Sequence, residues 1–166
     1  MADSAPTRSH DGALPPQGHF DAAGAIGDIY YWGKGVAVDH VRAMAAYKIG
    51  AEGGDALCQW QVGIMYCNGR GGVAVDFQQA RQWLEKAAAQ DEPNAVNALG
   101  FCASRGQGMT PSWRRAREYF QRAIDLGNSL AVKNMQDLTS NIQQVTHCPP
   151  GVRSRLRIPH GASLLL

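Results

Sequence analysis

AAGAIGDIYYWGKGVAVD, the sequence of residues 22–39, returns at residues 58–76 as CQWQVGIMYCNGRGGVAVD, with its apolar, glycine and aspartate positions in the same order. A looser third copy, AVNALGFCASRGQGM, occupies residues 95–109, and a half-copy begins at Ala131. Self-similarity at a period of a few tens of residues is typical of arrays in which each unit is a small motif that stacks on the next. The repeat therefore sets the architecture.

One glycine stands at the same place inside each complete copy, and Gln136 takes that place in the half-copy. These phased glycines are Gly27, Gly63 and Gly100, at intervals of 36 and 37 residues. Glycine inside a helix costs about 1 kcal/mol relative to alanine. Because the sequence accepts this cost three times, we expect a partner helix to approach closely there, where a Cβ atom would clash. The residues just before the glycines, which are Ile26, Val62 and Leu99, are predicted to be buried.

A second apolar stripe follows each glycine-rich stretch, with the spacing i, i+4, i+7, i+8 that marks one face of an amphipathic helix. The stripe consists of Ala43, Tyr47, Gly50 and Ala51, then Ala80, Leu84, Ala87 and Ala88, then Ala116, Phe120, Ala123 and Ile124. Each copy therefore predicts two helices joined by a glycine-rich turn. First helices are predicted at residues 19–32, 55–67, 92–104 and 128–145, and second helices at 39–52, 76–90 and 112–126.

Residues that favour helix N-caps stand at the predicted starts. The second helices have Asp39, Asp76 and Ser112 there, and Asp76 with Gln79 has the spacing of a capping box. Asp55 and Asp91 are predicted to cap the first helices of copies two and three. The last first helix has no partner, so we expect it to cap the core with one face and expose the other. Its predicted buried face is Ala131, Met135, Leu138, Ile142 and Val145, and its predicted exposed face is Lys133, Asp137 and Ser140.

The combined pattern resembles the Sel-1-like repeat family, which is related to the tetratricopeptide repeats. The second copy carries the pattern most fully, with Val62-Gly63, Tyr66, Gly69, Val73, Asp76, Ala80, Trp83 and Lys86-Ala87-Ala88. The third copy departs from it, with Ala103 in place of the tyrosine and Ser112 in place of the aspartate. Over residues 18–145, the resemblance implies an all-α solenoid of about three and a half helix-turn-helix repeats. It also implies a non-catalytic adaptor or scaffold that presents a concave surface to a protein or peptide partner.

Composition agrees with a single domain. The chain has 166 residues, 45% of them hydrophobic, and a formal net charge of +2, which gives no electrostatic reason to expect nucleic acid or a membrane as partner. Residues 1–17 and 146–166 lack helical periodicity and are predicted to be flexible tails around the repeat domain at 18–145. Because neither a signal segment nor an apolar span is evident, we expect the protein to lie in the cytoplasm. We also expect it to be a monomer.

The predicted contact surface follows from helix geometry and the family resemblance. Positions −5, −1 and +3 relative to the phased glycine form the core face of a first helix, and positions −3, +1 and +4 form a neighbouring strip. By the resemblance, stacked first helices line the concave face. Besides Gly24, this concave strip consists of Asp28, Tyr31, Trp60, Ile64, Cys67, Asn97, Phe101 and Ser104, which are the predicted partner contacts. Aromatic residues are common interface anchors, and the alternative is that these side chains fill space between adjacent helices.

Other sites are not indicated. The glycine-rich segments at residues 33–35 and 69–72 are predicted turns, because no strand precedes them and no Gly-Lys-Ser/Thr follows. The second helix of the third copy is basic, but acidic residues interrupt its basic face, so that face is predicted to be solvated. The concave strip has no Lys or Arg that could bind a C-terminal carboxylate. The basic residues of that helix are Arg114, Arg115, Arg117 and Arg122.

The cysteines and histidines predict neither metal, cofactor nor catalysis. Cys58, Cys67, Cys102 and Cys148 form no CxxC pair, and His147-Cys148 lacks two further ligands at regular spacing. Cys58 and Cys102 are predicted to be buried thiols. Two other functions stay open: a structural fragment that acts only within a larger assembly, and a peptide-modifying enzyme with an unrecognised site.

Overall fold

The computed structural model describes residues 18–146, with side-chain burial given for residues 22–143. The predicted tail at 1–17, and the other tail beyond residue 146, lie outside the described residues. Within 18–146 the chain forms seven α-helices and no strand, and the predicted helix bounds hold to within two residues. The helices are α1 (Gly18–Trp32), α2 (His40–Glu52), α3 (Ala56–Asn68), α4 (Phe77–Ala88), α5 (Pro93–Arg105), α6 (Trp113–Asp125) and α7 (Ser129–Thr146).

Each helix packs against its neighbours in sequence, and the tightest pairs are α1 with α2, α3 with α4, and α5 with α6. These pairs are three helix-turn-helix repeats. The second helix of each repeat also packs on the first helix of the next, and α5 contacts both α3 and α7. The result is the all-α solenoid that the repeat pattern predicts.

Every repeat builds its turn in the same way. The backbone N–H of each second-helix N-cap donates to a carbonyl three residues beyond the phased glycine: Asp39 to Tyr30 at 2.9 Å, Asp76 to Tyr66 at 3.0 Å, and Ser112 to Ala103 at 2.8 Å. Before two of these turns, Gly69 and Gly106 end a first helix with φ near +63° and +71°, in the left-handed region that favours glycine. The same backbone hydrogen bond therefore closes the turn in each repeat.

The predicted N-caps are confirmed with one exception. The side chains of Asp39, Asp76 and Ser112 accept hydrogen bonds from the first turns of their helices, and Asp55 does so for α3. The prediction for Asp91 was wrong. Glu92 caps α5 by accepting from the Asn94 N–H at 3.1 Å.

Asp91 itself adopts φ +58° in the turn before α5. The physical reason for the error is the interval of 37 residues between Gly63 and Gly100, which puts Glu92 in register with Asp55. The same register puts Asp91 where Gly54 and Gly127 stand, and both of those glycines also have positive φ.

The close approach at the phased glycines is confirmed. A Cβ atom on Gly63 would lie 2.8 Å from Leu84 Cγ, and one on Gly100 would lie 2.6 Å from the Phe120 ring. A Cβ atom on Gly27 would overlap the Tyr47 ring. The large side chains that face the glycines belong to the predicted apolar stripe of the second helices, and they occupy equivalent positions in the three repeats. We call these three contacts, Gly27 with Tyr47, Gly63 with Leu84, and Gly100 with Phe120, the glycine seam.

The predicted core holds except in the first repeat. Val62 and Leu99 are 0% and 1% exposed, because α2 and α4 cover them, but Ile26 is 46% exposed and its predicted burial was wrong. No helix precedes α1 in the described part of the chain, so nothing there covers this position. The predicted burial of the Cys58 and Cys102 thiols is confirmed, and the structure also buries Met65 at position +2, which no predicted core position included.

Helix α7 caps the other end as predicted. Ala131 and Leu138 are buried, and Met135 and Ile142 are partly buried against the last repeat. Lys133, Asp137 and Ser140 are exposed as predicted, and so are the apolar residues Leu130 and Val132. The side chain of Val145 lies outside the residues for which burial is described.

Candidate partner-binding surface

The concave strip runs across three consecutive first helices. Asp28 and Tyr31 lie on α1, Trp60, Ile64 and Cys67 on α3, and Asn97, Phe101 and Ser104 on α5. Phe101 is 39% exposed, and the seven other predicted contact residues are half-buried. The strip is therefore neither closed core nor fully solvated surface.

At the α1 end, hydrogen bonds hold the polar members of the strip. The Tyr47 hydroxyl donates to Asp28 Oδ1 at 2.7 Å, and burial together with this bond raises the pKa of Tyr47 above its ordinary value. The Tyr31 hydroxyl accepts from Arg70 Nη1 at 2.8 Å. The Tyr31 ring also lies beside Trp32 and His40, with centroids 4.9 and 5.0 Å away. Tyr31 is consequently fixed in place and half-buried.

In the middle of the strip, two side chains bridge adjacent repeats. Trp60 packs partly buried against the core cluster that contains Leu84 and Leu99. The Cys102 thiol hydrogen-bonds to Cys67, which lowers the pKa of Cys67, and this bond and burial raise the pKa of Cys102. Trp60 and Cys67 thus contribute to repeat stacking as well as to the strip.

At the α5 end, the most exposed member of the strip carries a cation on its ring. The Arg105 guanidinium lies 4.1 Å from the Phe101 ring centroid. Asn97 Oδ1 accepts from Asn134 Nδ2 on α7 at 2.8 Å, and Ser104 Oγ donates to the Phe101 carbonyl at 2.8 Å. Asn97 and Ser104 therefore have internal hydrogen-bond partners, whereas the Phe101 ring is 39% exposed and has the Arg105 guanidinium over it.

Two arginines beside the strip were missed by sequence reasoning. Arg70 follows the C-cap Gly69 of α3, and Arg105 is the last residue of α5. The predicted strip contains positions −3, +1 and +4, and both arginines lie beyond these positions in register. The available signal was their place at the ends of first helices, where a long side chain can reach back over the neighbouring strip.

The basic face of α6 is partly occupied by contacts within the chain. Arg122 Nη2 donates to the Ala88 carbonyl and to Asp91 Oδ1, both at 2.7 Å. Arg114 lies 3.6 Å from the Glu118 carboxylate. Across the described residues, no group of three His, Cys, Asp or Glu side chains is arranged to hold a metal ion. Helices within the same range also lack the length and apolarity that a membrane crossing requires.

Stacked helix pairs with a half-open strip along their first helices define a helical-repeat module of the protein-interaction class. Three consecutive segments, residues 20–55, 56–92 and 93–128, match the Sel1 repeat family. The chain belongs to this family, and the segment boundaries coincide with its three helix pairs.

Two curated relatives come from Arabidopsis thaliana. The ERAD-associated E3 ubiquitin-protein ligase component HRD3B is 35% identical over 75 residues, and component HRD3A is 33% identical over 75 residues. These matches cover 45% of this chain but only 12% and 11% of the relatives. The similarity is therefore one of repeat units, and it concerns a small part of those longer proteins.

Solved structures show the same fold. A Sel1 repeat protein from Oxalobacter formigenes is similar at TM-score 0.66 and 31% identity, over 70% of this chain and 47% of its own. The protective antigen c5321 of uropathogenic Escherichia coli strains has TM-score 0.65 and 32% identity, over 69% and 24% of the two chains. Helicobacter pylori cysteine rich protein B, at TM-score 0.56 and 19% identity over 70% and 89%, shares the fold alone.

Proposed function

We propose that this chain is a non-catalytic adaptor or scaffold that binds a protein or peptide partner along the concave strip. The observation that carries the proposal is the pattern of residues at position +1 of the first helices. The glycines one residue earlier are identical in three repeats, whereas position +1 is Asp28, Ile64 and Phe101. Packing fixes the first set. The second set differs in size and charge between repeats, and of its members Asp28 has an internal role, because it accepts the Tyr47 hydroxyl at 2.7 Å.

The chemistry of the strip fits a partner with apolar or aromatic anchors. Tyr31 is fixed by Arg70, and Phe101 is 39% exposed beneath Arg105, so two rings and two cations stand along one surface. Aromatic and arginine side chains dominate binding energy at many interfaces.

The absence of a CxxC pair or any regular cysteine spacing supports a reducing compartment such as the cytoplasm for this module.

Affinity capture with matched variants tests the proposal. Wild-type protein and a Tyr31→Ala, Trp60→Ala, Phe101→Ala triple variant are used as baits in a lysate, after circular dichroism shows that both are folded. We expect partners that bind wild type and are lost from the folded triple variant. A Phe101→Ala single variant guards against loss of structure, since its ring is the most exposed of the three.

The control changes a different surface of the same repeats. Arg114→Ala with Arg117→Ala alters the exposed face of α6 and leaves the strip intact. Partners that survive the strip variants and are lost from the α6 variant would contradict the proposal and place the interface on the second helices.

A further inference from the structure

Two cysteines from neighbouring repeats meet at the junction between the second and third helix pairs. Cys67 lies one residue before the end of α3, and Cys102 lies three residues before the end of α5. Cys67 packs against the core cluster that contains Cys102, and the two thiols are joined by a hydrogen bond. Residues that are 35 positions apart in the sequence therefore bring two sulfur atoms together on adjacent first helices.

Packing alone does not require a pair of thiols at such a junction. The two cysteines occupy position +4 of one first helix and position +2 of the next. The equivalent positions hold Tyr31 and Met65 one repeat earlier, and Ser104 and Leu138 one repeat later. The array thus accepts side chains of very different size at these positions, and the pair of sulfur atoms is a property of this junction rather than of the repeat.

The two thiols differ in accessibility and in acidity. Cys67 is half-buried on the concave strip, whereas Cys102 is 3% exposed. The hydrogen bond with Cys102 lowers the pKa of Cys67 against the opposing effect of burial, and the same bond together with burial raises the pKa of Cys102. A small oxidant therefore meets Cys67 first, and the thiolate form in which Cys67 reacts is the favoured one.

Cys58 provides an internal reference for an unreactive thiol. It is 2% exposed, and burial together with the hydrogen bond to Asp55 raises its pKa to about 12. Helix α1 lies directly over it, since a Cβ atom added to Gly24 would be 3.1 Å from the Cys58 sulfur. Cys58 is therefore both less accessible and less acidic than Cys67.

We propose that Cys67 and Cys102 form a peroxide-sensitive dithiol, in which Cys67 attacks the oxidant and Cys102 converts the product into a disulfide. The Cys67 thiolate attacks one oxygen of hydrogen peroxide and the O–O bond breaks, so that Cys67 becomes a sulfenic acid. The hydroxide that leaves takes up the proton that Cys67 released. The Cys102 sulfur then attacks the Cys67 sulfur, the S–O bond breaks, and the second hydroxide leaves with the Cys102 proton as water. Two thiols and one peroxide give one disulfide and two molecules of water.

The disulfide requires only a local movement of the chain. Two sulfur atoms in contact must approach to about 2.05 Å, and both cysteines lie in the last turns of their helices, which open more easily than helix centres. The last turn of α3 adjoins the glycine-rich turn at residues 69–72. Because stability in a stack of repeats depends on the contacts between neighbours, a covalent link at this junction should stabilise the array.

This inference goes beyond the adaptor function and does not depend on it, because the reaction occurs in the free chain. The two are nevertheless connected through position. Cys67 belongs to the concave strip, and Cys102 directly follows Phe101 of the same strip. The link would therefore fix the strip residues of α3 and α5 relative to each other.

Disulfide mapping of the full chain tests the dithiol. Trypsin leaves Cys58 and Cys67 together on residues 49–70, so Cys58→Ala protein is used, with Cys102 on residues 87–105. The reduced protein is treated with about 100 µM hydrogen peroxide, and the remaining thiols are alkylated before digestion. We expect these two peptides to be linked in most molecules, about 2 Da lighter than the two reduced peptides together, and to separate after dithiothreitol. The melting temperature should rise by about 5 °C on oxidation.

Two serine variants separate the roles of the thiols. Cys67→Ser is well suited to the fold because Ser104 occupies the equivalent position of the next repeat, and it should form no link and leave Cys102 reduced. Cys102→Ser should stop the reaction at the Cys67 sulfenic acid, which dimedone traps. Circular dichroism before oxidation shows whether each variant is folded, and Cys67→Ser keeps the test valid if the buried Cys102→Ser substitution is not tolerated.

Several results would overturn the proposal. They are a Cys67 thiol that peroxide leaves unmodified, a Cys67 sulfinic acid beside a reduced Cys102, and a Cys67–Cys102 link that forms only in urea. A link from either residue to Cys148, which lies outside the described residues, would equally contradict it. So would oxidation of Cys58 in the wild-type chain as fast as Cys67, since the proposal expects Cys67 to react at least about tenfold faster.

Discussion

The glycine seam and the concave strip lie on the same first helices and follow different rules. The seam repeats one residue three times, and each glycine faces a single large side chain: Tyr47, Leu84 or Phe120. The strip changes from Asp28 to Ile64 to Phe101 at one register position, and none of the three is fully buried. Packing between helices therefore constrains one face of each first helix, whereas the residues of the neighbouring face differ from repeat to repeat.

The largest expected effect comes from overpacking the seam. Gly63→Leu places a side chain where even a Cβ atom would lie 2.8 Å from Leu84 Cγ and 3.2 Å from the Ala80 carbonyl oxygen. We expect the free energy of unfolding to fall by about 3 kcal/mol or more, measured by urea denaturation.

Gly72→Ala is the matched control for this substitution. Its new Cβ atom would meet Val41 Cγ2 at an ordinary 3.6 Å, so the cost arises from φ +77° alone and should be about 1 kcal/mol. Equal denaturation midpoints for the two variants would remove the close-approach argument.

A second pair of substitutions separates the two roles of the strip. Trp60→Ala should cost about 2 kcal/mol of stability, because Trp60 packs against the core cluster around Leu99. Phe101→Ala should cost less than about 1 kcal/mol, because its ring is 39% exposed. Both should weaken partner binding. Loss of helicity in both variants, followed by circular dichroism, would instead assign the two residues to the core.

Alkaline pH should weaken the core beside the seam through a buried thiol. Burial, and after it the hydrogen bond with Asp55, raises the pKa of Cys58 from 9.0 to about 12. Because the unfolded thiol ionises first, the stability contributed by Cys58 is complete below pH 9 and is lost between pH 9 and about 12.

The expected slope in that window is about 1.4 kcal/mol per pH unit for this group. Thermal melting from pH 8 to pH 11 measures it, with Cys58→Ala as the comparison. The variant should show a shallower decline, since alanine fills the equivalent position at Ala95. Parallel curves for the two proteins would show that Cys58 does not carry this effect.

The smallest effect concerns the turn in which the third repeat departs from the other two. Asp91 adopts φ +58° where Gly54 and Gly127 stand, and it forms an exposed ion pair with Arg122 at 2.7 Å. Asp91→Gly should change stability by less than about 0.5 kcal/mol, because relief of strain offsets the lost pair. Asp91→Ala should be about 1 kcal/mol less stable than Asp91→Gly in the same urea assay. The reverse order would show that the ion pair outweighs the backbone.

Local signals were sufficient to predict the helices, most caps and the seam from the sequence. Asp39 and Asp76 cap their helices through contacts within a few residues. A glycine repeated at one position inside a helix indicates that another helix approaches closely there. Burial of Ile26 was mispredicted because it depends on a preceding helix, which the residue's own pattern does not encode. Asp91 was mispredicted because the extra residue near Gly72 shifts the later register by one.

The composition of the candidate site was less accessible from sequence. Helix geometry places Tyr31 and Phe101 on one strip, but the contacts of Arg70 with Tyr31 and of Arg105 with Phe101 depend on rotamers and on the angle between repeats. Likewise, the hydrogen bond between Cys67 and Cys102 joins residues of adjacent repeats, and no spacing rule connects them.

The most direct test of the central claim, that the concave strip binds the partner, is hydrogen–deuterium exchange of the chain with and without a captured partner. Binding along the strip predicts slower exchange in the middle and last turns of α3 and α5, around Ile64 and Phe101, with α4 and α6 unchanged. Protection confined to α6 around Arg114 and Arg117, with α3 and α5 unchanged, would contradict the claim.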